Sequence, residues 1–374
     1  MTEPKLDLGA TVALPKAELA LLLQGLQEQG FETIGPRLEE QNLVYGLIEG
    51  LEDLPRGYSS EQQAGRYRLQ FTGHDLYFGL TPGPQSWKQY FFPPRAKMIE
   101  LHRSENGWQR QNDFSQSRPL ALIGVRPCEL AAIQLQDAVF LRDDWSDPLY
   151  RLRRQSAFIL SVDCFHPGGT CFCASLGAGP KSGAGFDLNL SELEDVFLAE
   201  VGSEAGREQL SRLSYEPASA FLLQTARRNL EEAQQQMGRQ IEHPERLAEM
   251  LLGNLNAAEW ERVGKRCLSC ASCTQVCPTC FCWDVRDQPD LSGQAATRER
   301  LWDSCFNPDY SYVVGGSTRP NTTSRYRQWL THKFASWQGQ FGSLGCVGCG
   351  RCITWCPAGI DLTVELENLR KEVA

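Results

Sequence analysis

The sequence predicts a protein of mixed α and β structure in three parts: an α+β or α/β domain over residues 1–200, a helical spacer over 201–263 and a small domain over 264–374. Two continuous apolar runs in the first part are typical of buried strands. Apolar residues recur at helical spacing in the second part. The third part contains all but four of the fifteen cysteines, most of them in two repeated runs. A chain of 374 residues is long enough for two or three such domains.

The first part begins with a predicted helix over residues 16–29, because leucines recur there at a spacing of three and four. These leucines are Leu19, Leu22, Leu23 and Leu26. Short β-like runs follow at 43–48, 66–71 and 76–80.

Two stronger candidates for buried strands lie at 120–125 and 157–162. The first leads through Pro127 into a predicted helix over 128–139, since proline is common in the first helical turn. This alternation of strand and helix indicates an α/β or α+β domain.

The spacer carries two apolar stripes at helical spacing. The first consists of Leu223, Ala226, Leu230, Ala233 and Met237, and the second of Leu247, Leu251 and Leu255. We interpret these helices as packing elements that lead the chain to the first cysteine run.

Two cysteine runs of identical spacing mark the third part. They are Cys267, Cys270, Cys273 and Cys277 before Pro278, and Cys346, Cys349, Cys352 and Cys356 before Pro357. The spacing Cys-x2-Cys-x2-Cys-x3-Cys-Pro is typical of proteins that hold two 4Fe-4S clusters, in which the fourth cysteine of each run binds the cluster of the other run. The predicted ligand sets are therefore Cys267, Cys270, Cys273 and Cys356 for one cluster, and Cys346, Cys349, Cys352 and Cys277 for the other.

The 68 residues between Cys277 and Cys346 exceed the linker of a minimal two-cluster ferredoxin. The sequence therefore predicts a ferredoxin-like domain with a long insertion, closed by an amphipathic segment over 362–369. Structural zinc is the alternative, because Cys-x2-Cys pairs also form zinc sites. Two complete runs that each end in Cys-Pro fit iron-sulfur clusters better.

Four further cysteines suggest a third 4Fe-4S cluster. They are Cys128, Cys164, Cys171 and Cys173. The first two follow the two strong strand candidates, so their thiols meet at one sheet edge if those strands are parallel neighbours. Ordinary buried thiols are the alternative, and His166 could replace one thiolate.

Three cysteines have no assigned role, and several cations lie beside the runs. Cys280, Cys282 and Cys305 could shield or replace a ligand, but we expect them to be buried structural thiols. The cations Lys265, Arg266 and Arg351 are expected to be solvated surface charges, although a cation beside a cluster can raise its potential.

Composition excludes several classes of function. The net charge of -9 and the lack of a basic, aromatic-rich stripe argue against nucleic-acid binding. No run approaches the length of a membrane span, and neither a signal peptide nor a twin-arginine signal is recognisable, so we expect a cytoplasmic protein. Neither a dinucleotide-binding turn nor a phosphate-binding loop is present.

Several segments resemble the β subunit of soluble sulfhydrogenases and the related iron-sulfur subunit of anaerobic sulfite reductase. They are RCLSCASCTQVCPTCFCWDV (266–285), GCVGCGRCITWCP (345–357), WDSC (302–305), FFPPR (91–95), GVRPC (124–128) and CFC (171–173). The resemblance implies an iron-sulfur subunit that connects a flavin subunit, which reacts with NAD(P)H, to a catalytic subunit. That catalytic subunit is a nickel-iron hydrogenase or a sirohaem sulfite reductase, and the chain itself is expected to bind neither flavin nor nickel.

The leading hypothesis is therefore an electron-transfer subunit of a hydrogenase-like complex, which is not catalytic alone. The iron-sulfur subunit of an anaerobic sulfite reductase is the nearest alternative. Two other classes stay open: an enzyme that binds substrate at an undercoordinated cluster, and a zinc-stabilised interaction module without redox function.

Overall fold

The computed structural model describes residues 6–111 and 118–373. Its strands are β1 (Thr11–Pro15), β2 (Glu32–Glu39), β3 (Asn42–Leu47), β4 (Tyr58–Gln63), β5 (Arg66–Phe71), β6 (Arg95–Ser104), β7 (Gly107–Gln111), β8 (Leu120–Val125), β9 (Phe158–Val162), β10 (Leu188–Glu192), β11 (Val196–Val201), β12 (Glu216–Pro217), β13 (Trp283–Pro289), β14 (Ala295–Trp302), β15 (Tyr312–Val313) and β16 (Gly316–Ser317).

The α-helices are α1 (Glu18–Glu28), α2 (Lys88–Phe91), α3 (Pro127–Phe140), α4 (Pro148–Gln155), α5 (Glu204–Leu210), α6 (Ala220–Gln235), α7 (Leu247–Gly253), α8 (Glu259–Arg266), α9 (Ser272–Gln275), α10 (Thr322–Thr331), α11 (Trp337–Phe341), α12 (Arg351–Thr354) and α13 (Leu362–Val373). A π-helical turn, His332–Ser336, joins α10 to α11. No helix in the described ranges is both long and apolar enough to span a membrane.

An eight-stranded mixed sheet forms the centre of the amino-terminal part, in the order β12-β1-β11-β10-β9-β8-β2-β3. The four central strands, β10, β9, β8 and β2, run parallel to one another. All other neighbouring pairs in this sheet are antiparallel. The two strong strand candidates of the sequence are β8 and β9, and they are parallel neighbours. The residues that follow them therefore leave the sheet at the same edge.

Helices cover both faces of this sheet with apolar side chains. Helix α1 packs its four buried leucines against the core that includes Ile123 and Leu160, while α3 contributes Leu130, Ile133 and Phe140 to a second core. Each fully buried leucine stabilises the fold by about 1.5–3 kcal/mol. Burial on both faces explains why the sequences of β8 and β9 are continuous apolar runs.

The expected strand at 76–80 is absent, and this prediction is wrong for a physical reason. The backbone N–H groups of Tyr77 and Phe78 donate to the buried carboxylate of Glu192, each at 2.8 Å. The Arg126 guanidinium donates to the carbonyl oxygens of Phe78 and Leu80. Side chains therefore satisfy the backbone groups that a neighbouring strand would otherwise pair.

Contacts cross both expected domain boundaries. Strand β12, from the segment expected as a spacer, pairs with β1 at the edge of the main sheet. Strands β13 and β14, from the long insertion, form a second sheet with β6 and β7 in the order β13-β14-β6-β7. The domain boundaries at residues 200 and 263 stay predictions. The insertion pairs with strands of the amino-terminal part and therefore packs against it.

The carboxy-terminal helices enclose a separate apolar core. Trp260, Tyr326 and Trp329 are its largest members. Five cysteines of the two runs pack against it: Cys267, Cys273, Cys346, Cys352 and Cys356. A hairpin of β4 and β5 from the amino-terminal part also reaches the second run: the Gly65 N–H donates to the Ile353 carbonyl at 3.1 Å. The cysteine runs therefore lie at the junction of the two parts.

Candidate metal centre

The two cysteine runs fold into the same local structure, 79 residues apart. Ser269 and Ala271 in the first run have positive φ angles of 53° and 64°, and Gly348 and Gly350 have 66° and 72° at the matching positions of the second run. The short helices α9 and α12 also begin and end at matching positions. Left-handed backbone in a non-glycine residue is strained, so its retention at Ser269 and Ala271 indicates a loop shape that the cysteines require.

Matching backbone N–H groups point at cysteine sulfurs in both runs. The Ser269 N–H donates to the Cys267 sulfur at 3.4 Å, and the Gly348 N–H donates to the Cys346 sulfur at 3.5 Å. A third donor, the Ile360 N–H, lies 3.4 Å from the Cys356 sulfur. Such hydrogen bonds favour the anionic form of a sulfur ligand.

Three cysteines of the first run meet the last cysteine of the second run in one cavity. Its sulfur-bearing residues are Cys267, Cys270, Cys273, Cys356 and Cys352, and its apolar lining includes Phe306, Tyr326, Trp329, Ile360 and Leu362. Burial raises the pKa of the Cys273 thiol, and the thiolates of Cys267 and Cys356 raise it further. The four residues of the first expected ligand set thus line one cavity, which is apolar on its inner side, while Cys270 is exposed.

The second expected set is assembled in the same crossed manner. Burial raises the pKa of Cys352, and the thiolates of Cys346, Cys277 and Cys349 add to this effect. Burial also raises the pKa of Cys346 to about 12, although Lys333 opposes the change. Four thiols that repel one another when ionised, buried together, need a cationic partner to hold them as thiolates.

The described residues form no closed site for a single metal ion. Four thiolates around one zinc ion lie within about 4 Å of one another, because Zn–S bonds are about 2.3 Å long. Across residues 6–111 and 118–373, no three His, Cys, Asp or Glu side chains converge closely enough to hold one metal ion.

The four remaining amino-terminal cysteines also come together. Cys128 begins α3 after β8, Cys164 follows β9, and Cys171 and Cys173 lie on the next loop. Burial raises the pKa of Cys171 to about 12, with Cys164 as the next cause. Burial likewise raises the pKa of Cys128 and of Cys173, and each is raised further by a second thiolate of this group. Burial raises the pKa of the Cys164 thiol, and a hydrogen bond from the His166 backbone N–H to its sulfur opposes that change.

This third group lies directly against the second run. The Phe172 N–H donates to the Gly348 carbonyl at 2.8 Å, and the Cys171 sulfur lies 3.9 Å from the Cys349 carbonyl oxygen. A Cβ atom at Gly348 would lie 2.6 Å from the backbone of Cys173. The three groups of cysteines therefore follow one another through the molecule, with the second run in the middle.

Arg351 is not a solvated surface charge, so this expectation is wrong. Its guanidinium is buried and donates to the Glu129 carboxylate at 2.6 Å. Lys265 and Arg266 are both exposed as expected, although Arg266 also forms an ion pair with Glu365 at 2.6 Å. Arg351 is held inside because a buried carboxylate from α3 faces it, which its position in the cysteine run did not indicate.

The three unassigned cysteines form two close contacts. The Cys280 thiol donates to the Cys277 sulfur, which lowers the pKa of Cys277 and raises that of Cys280. The Cys305 thiol donates to Cys282 and, with a smaller contribution from Tyr310, lowers the pKa of Cys282 to about 6. Each pair joins one sulfur that favours the thiolate to one that favours the thiol.

Sequence reasoning missed Lys333 as a member of the site. Its ammonium is buried and donates to the Cys277 sulfur at 3.3 Å. Burial by itself lowers the pKa of Lys333, but the thiolates of Cys277, Cys280, Cys346 and Cys352 outweigh it and raise that pKa. No local pattern marks this lysine, because its immediate neighbours, His332 and Phe334, include one polar and one apolar residue.

Comparison with known proteins agrees with this geometry. Residues 266–360 match the family model described as a 4Fe-4S dicluster domain. The chain is 32% identical over 331 residues to sulfhydrogenase 2 subunit beta of Pyrococcus furiosus, an alignment that covers 86% of this chain and 94% of that protein. No solved structure matches significantly. Because the relative is similar over nearly its whole length and the dicluster domain contains both cysteine runs, the chain belongs to the sulfhydrogenase β-subunit family of 4Fe-4S dicluster proteins.

Proposed function

We propose that this chain is the iron-sulfur electron-transfer subunit of a cytoplasmic, nickel-iron-hydrogenase-like complex. It relays electrons between a flavin subunit that reacts with NAD(P)H and a catalytic subunit. The observation that carries this proposal is the continuous row of three cysteine groups, in which the second run contacts both of the others. A row of redox centres suits electron transfer through a protein better than it suits binding of a substrate.

The residues present fit 4Fe-4S clusters. Each crossed set supplies four sulfurs, and backbone N–H groups of Ser269, Gly348 and Ile360 already point at three of them. In this proposal the first cluster is held by Cys267, Cys270, Cys273 and Cys356, and the second by Cys346, Cys349, Cys352 and Cys277. A third is held by Cys128, Cys164, Cys171 and Cys173. When bound, such clusters accept and release one electron at a time.

The protein around these sulfurs has two tasks. Apolar side chains such as Trp329 and Phe306 cover the inner side of the first set, which keeps the local dielectric constant low there and the N–H···S hydrogen bonds strong. The loops hold the thiolates in fixed positions, so that little rearrangement accompanies a change of charge. Both tasks support electron transfer without a substrate site in this chain.

One end of the row reaches the surface. Cys270 is exposed, and the neighbouring Leu268 side chain is 66% exposed. An exposed apolar residue beside a proposed ligand is suited to contact with a partner protein. We propose that a partner docks over Leu268 and exchanges electrons there, while Cys171 and Cys173 mark the buried end.

Anaerobic purification of the complex tests this function. A brown protein with reducible paramagnetic clusters, no turnover by the isolated chain and a copurifying nickel-iron subunit supports the proposal. Sirohaem in the large partner instead supports the alternative, the iron-sulfur subunit of an anaerobic sulfite reductase. Turnover of a small substrate by the chain alone, or a colourless protein that retains zinc, contradicts electron relay.

A further inference from the structure

The π-helical turn places a buried lysine, Lys333, beside the second expected ligand set. Lys333 lies on the turn His332–Ser336, and only 3% of it is exposed. A π-helical turn inserts one extra residue into a helix and is frequent at functional sites. Here the turn carries a charged side chain into the core beside the second ligand set.

The Lys333 ammonium donates hydrogen bonds to two segments. One includes the last cysteine of the first run and the residues after it, and the other lies just before the second run. It donates to the Cys277 sulfur at 3.3 Å, to the Thr279 hydroxyl oxygen at 3.0 Å and to the Gly345 carbonyl at 2.9 Å. The Cys280 sulfur lies further away, at 3.8 Å. Gly345 in turn donates its N–H to the Lys333 carbonyl at 2.7 Å, so the lysine is fixed through both its backbone and its side chain.

The charge of this ammonium has no carboxylate partner in the described part of the chain. The anions that can balance it are the thiolates around it, because a buried ammonium is strongly unfavourable unless it is paired. In a low-dielectric interior, a cation at hydrogen-bond distance from a sulfur acts on that sulfur far more strongly than an exposed cation does.

The first ligand set has no equivalent of this lysine. The sulfur of Cys356, which matches Cys277 in the repeat, receives the backbone N–H of Ile360 at 3.4 Å, and no cationic side chain donates to it among the described residues. The repeated spacing thus gives both sets the same ligands, while Lys333 makes their electrostatic surroundings different.

We propose that Lys333 is a positioning residue that holds Cys277 for the second cluster and raises the reduction potential of that cluster relative to the first. The inference rests on the crossed ligand assignment of the proposed function. Reduction adds a negative charge to a cluster, and a buried cation that donates to a ligand sulfur stabilises the added charge. An electron entering at the exposed first set is therefore drawn inward to the second.

Redox titration followed by electron paramagnetic resonance (EPR) tests this proposal on the anaerobically purified full chain. Lys333→Met removes the charge at similar length, and Lys333→Arg keeps it. Lys265→Met is the matched control, because it removes an exposed charge beside the first run. The signals lost in Cys277→Ser and Cys356→Ser assign the two clusters.

We expect Lys333→Met to move the midpoint potential of the second cluster to a more negative value and to leave the first unchanged. Lys333→Arg and Lys265→Met should stay close to the wild type. An unchanged second midpoint in Lys333→Met overturns the proposal. If Lys333→Met loses the second cluster, Lys333→Arg decides: retention near the wild-type potential supports the need for the charge, whereas loss in both variants overturns it. Absence of clusters from the wild type refutes the proposed function instead.

Discussion

Arg351 and Glu129 form a buried ion pair that joins the second cysteine run to helix α3. Their side chains are 3% and 1% exposed, and the guanidinium nitrogen lies 2.6 Å from the carboxylate oxygen. The Tyr45 hydroxyl donates to the other carboxylate oxygen at 2.7 Å. Glu129 follows Cys128 in the chain, so the pair fixes the third cysteine group against the second.

Removing one partner of this pair should destabilise the protein strongly. We expect Arg351→Met to lower the free energy of unfolding by about 3–5 kcal/mol, because the Glu129 carboxylate is then buried without a cation. Urea unfolding of the anaerobic holoprotein measures the loss. The double variant Arg351→Met/Glu129→Met should recover much of it, since no uncompensated charge remains.

The exposed pair of Arg298 and Asp287 is the control for this experiment. Its two hydrogen bonds are each 2.7 Å long, but the side chains are surrounded by solvent. Arg298→Met should leave the urea midpoint nearly unchanged. Equal losses at Arg298 and Arg351 would show that burial of the inner pair is not what makes it important.

If the two runs exchange their fourth ligands, replacing the last cysteine of one run should damage the cluster of the other run. We expect Cys277→Ser to impair the cluster of the second run and Cys356→Ser to impair that of the first, because each lines the opposite ligand set. Mössbauer and EPR spectra of the two variants distinguish the clusters. Cys305→Ser, which removes a thiol outside both sets, should keep both signals. Loss of only the first cluster in Cys277→Ser contradicts the exchange.

A methyl group at Gly348 should disturb the third cysteine group. The added Cβ would lie 2.6 Å from the backbone of Cys173, so Gly348→Ala must push the 171–173 loop away. We expect iron to fall from about twelve atoms per chain towards about eight. Gly342→Ala imposes a similar φ strain in open space and should retain all of the iron.

The third cluster itself can be tested by direct analysis of iron. Replacing both Cys171 and Cys173 with serine should remove about four iron atoms from about twelve, while the EPR signals of the other two clusters remain. About eight iron atoms in both the wild type and the double variant would reject a cluster at this position.

The hydrogen bond between Cys282 and Cys305 should be visible in thiol chemistry. Because the pKa of Cys282 is lowered to about 6, its thiolate predominates above that pH. Peptide-resolved iodoacetamide labelling of the holoprotein should therefore reach half its maximal rate near pH 6. Cys305→Ala should move this midpoint up towards the ordinary value of about 8.5, because the donor is lost. A wild-type midpoint already near 8.5 would exclude the interaction.

Local patterns in the sequence were sufficient for the elements that hold the cysteines. The apolar runs of β8 and β9 and the leucine stripe of α1 were predictable because burial imposes a strict periodicity on strands and helices. The crossed assignment of Cys277 and Cys356 to the opposite runs is a prediction from the repeated spacing. The apolar periodicity and the spacing within each cysteine run are both visible in residues near one another in the chain.

Features that depend on distant partners were not predictable. Strand β14 of the insertion pairs with β6, more than 180 residues earlier, and no local pattern records that pairing. Arg351 resembles a surface charge in the sequence, because the sequence does not show that Glu129 faces it. The role of Lys333 likewise depends on its contact with Cys277. Residues 76–80 lack a strand partner because the side chains of Glu192 and Arg126 bind their backbone groups.

The most direct measurement of the central claim is a reductive titration of the anaerobically purified chain, combined with analysis of iron and acid-labile sulfide. We expect the protein to take up one electron per cluster, with EPR signals of at least two reduced 4Fe-4S centres and sulfide equal to iron. A protein that contains no acid-labile sulfide and accepts no electrons would contradict the account.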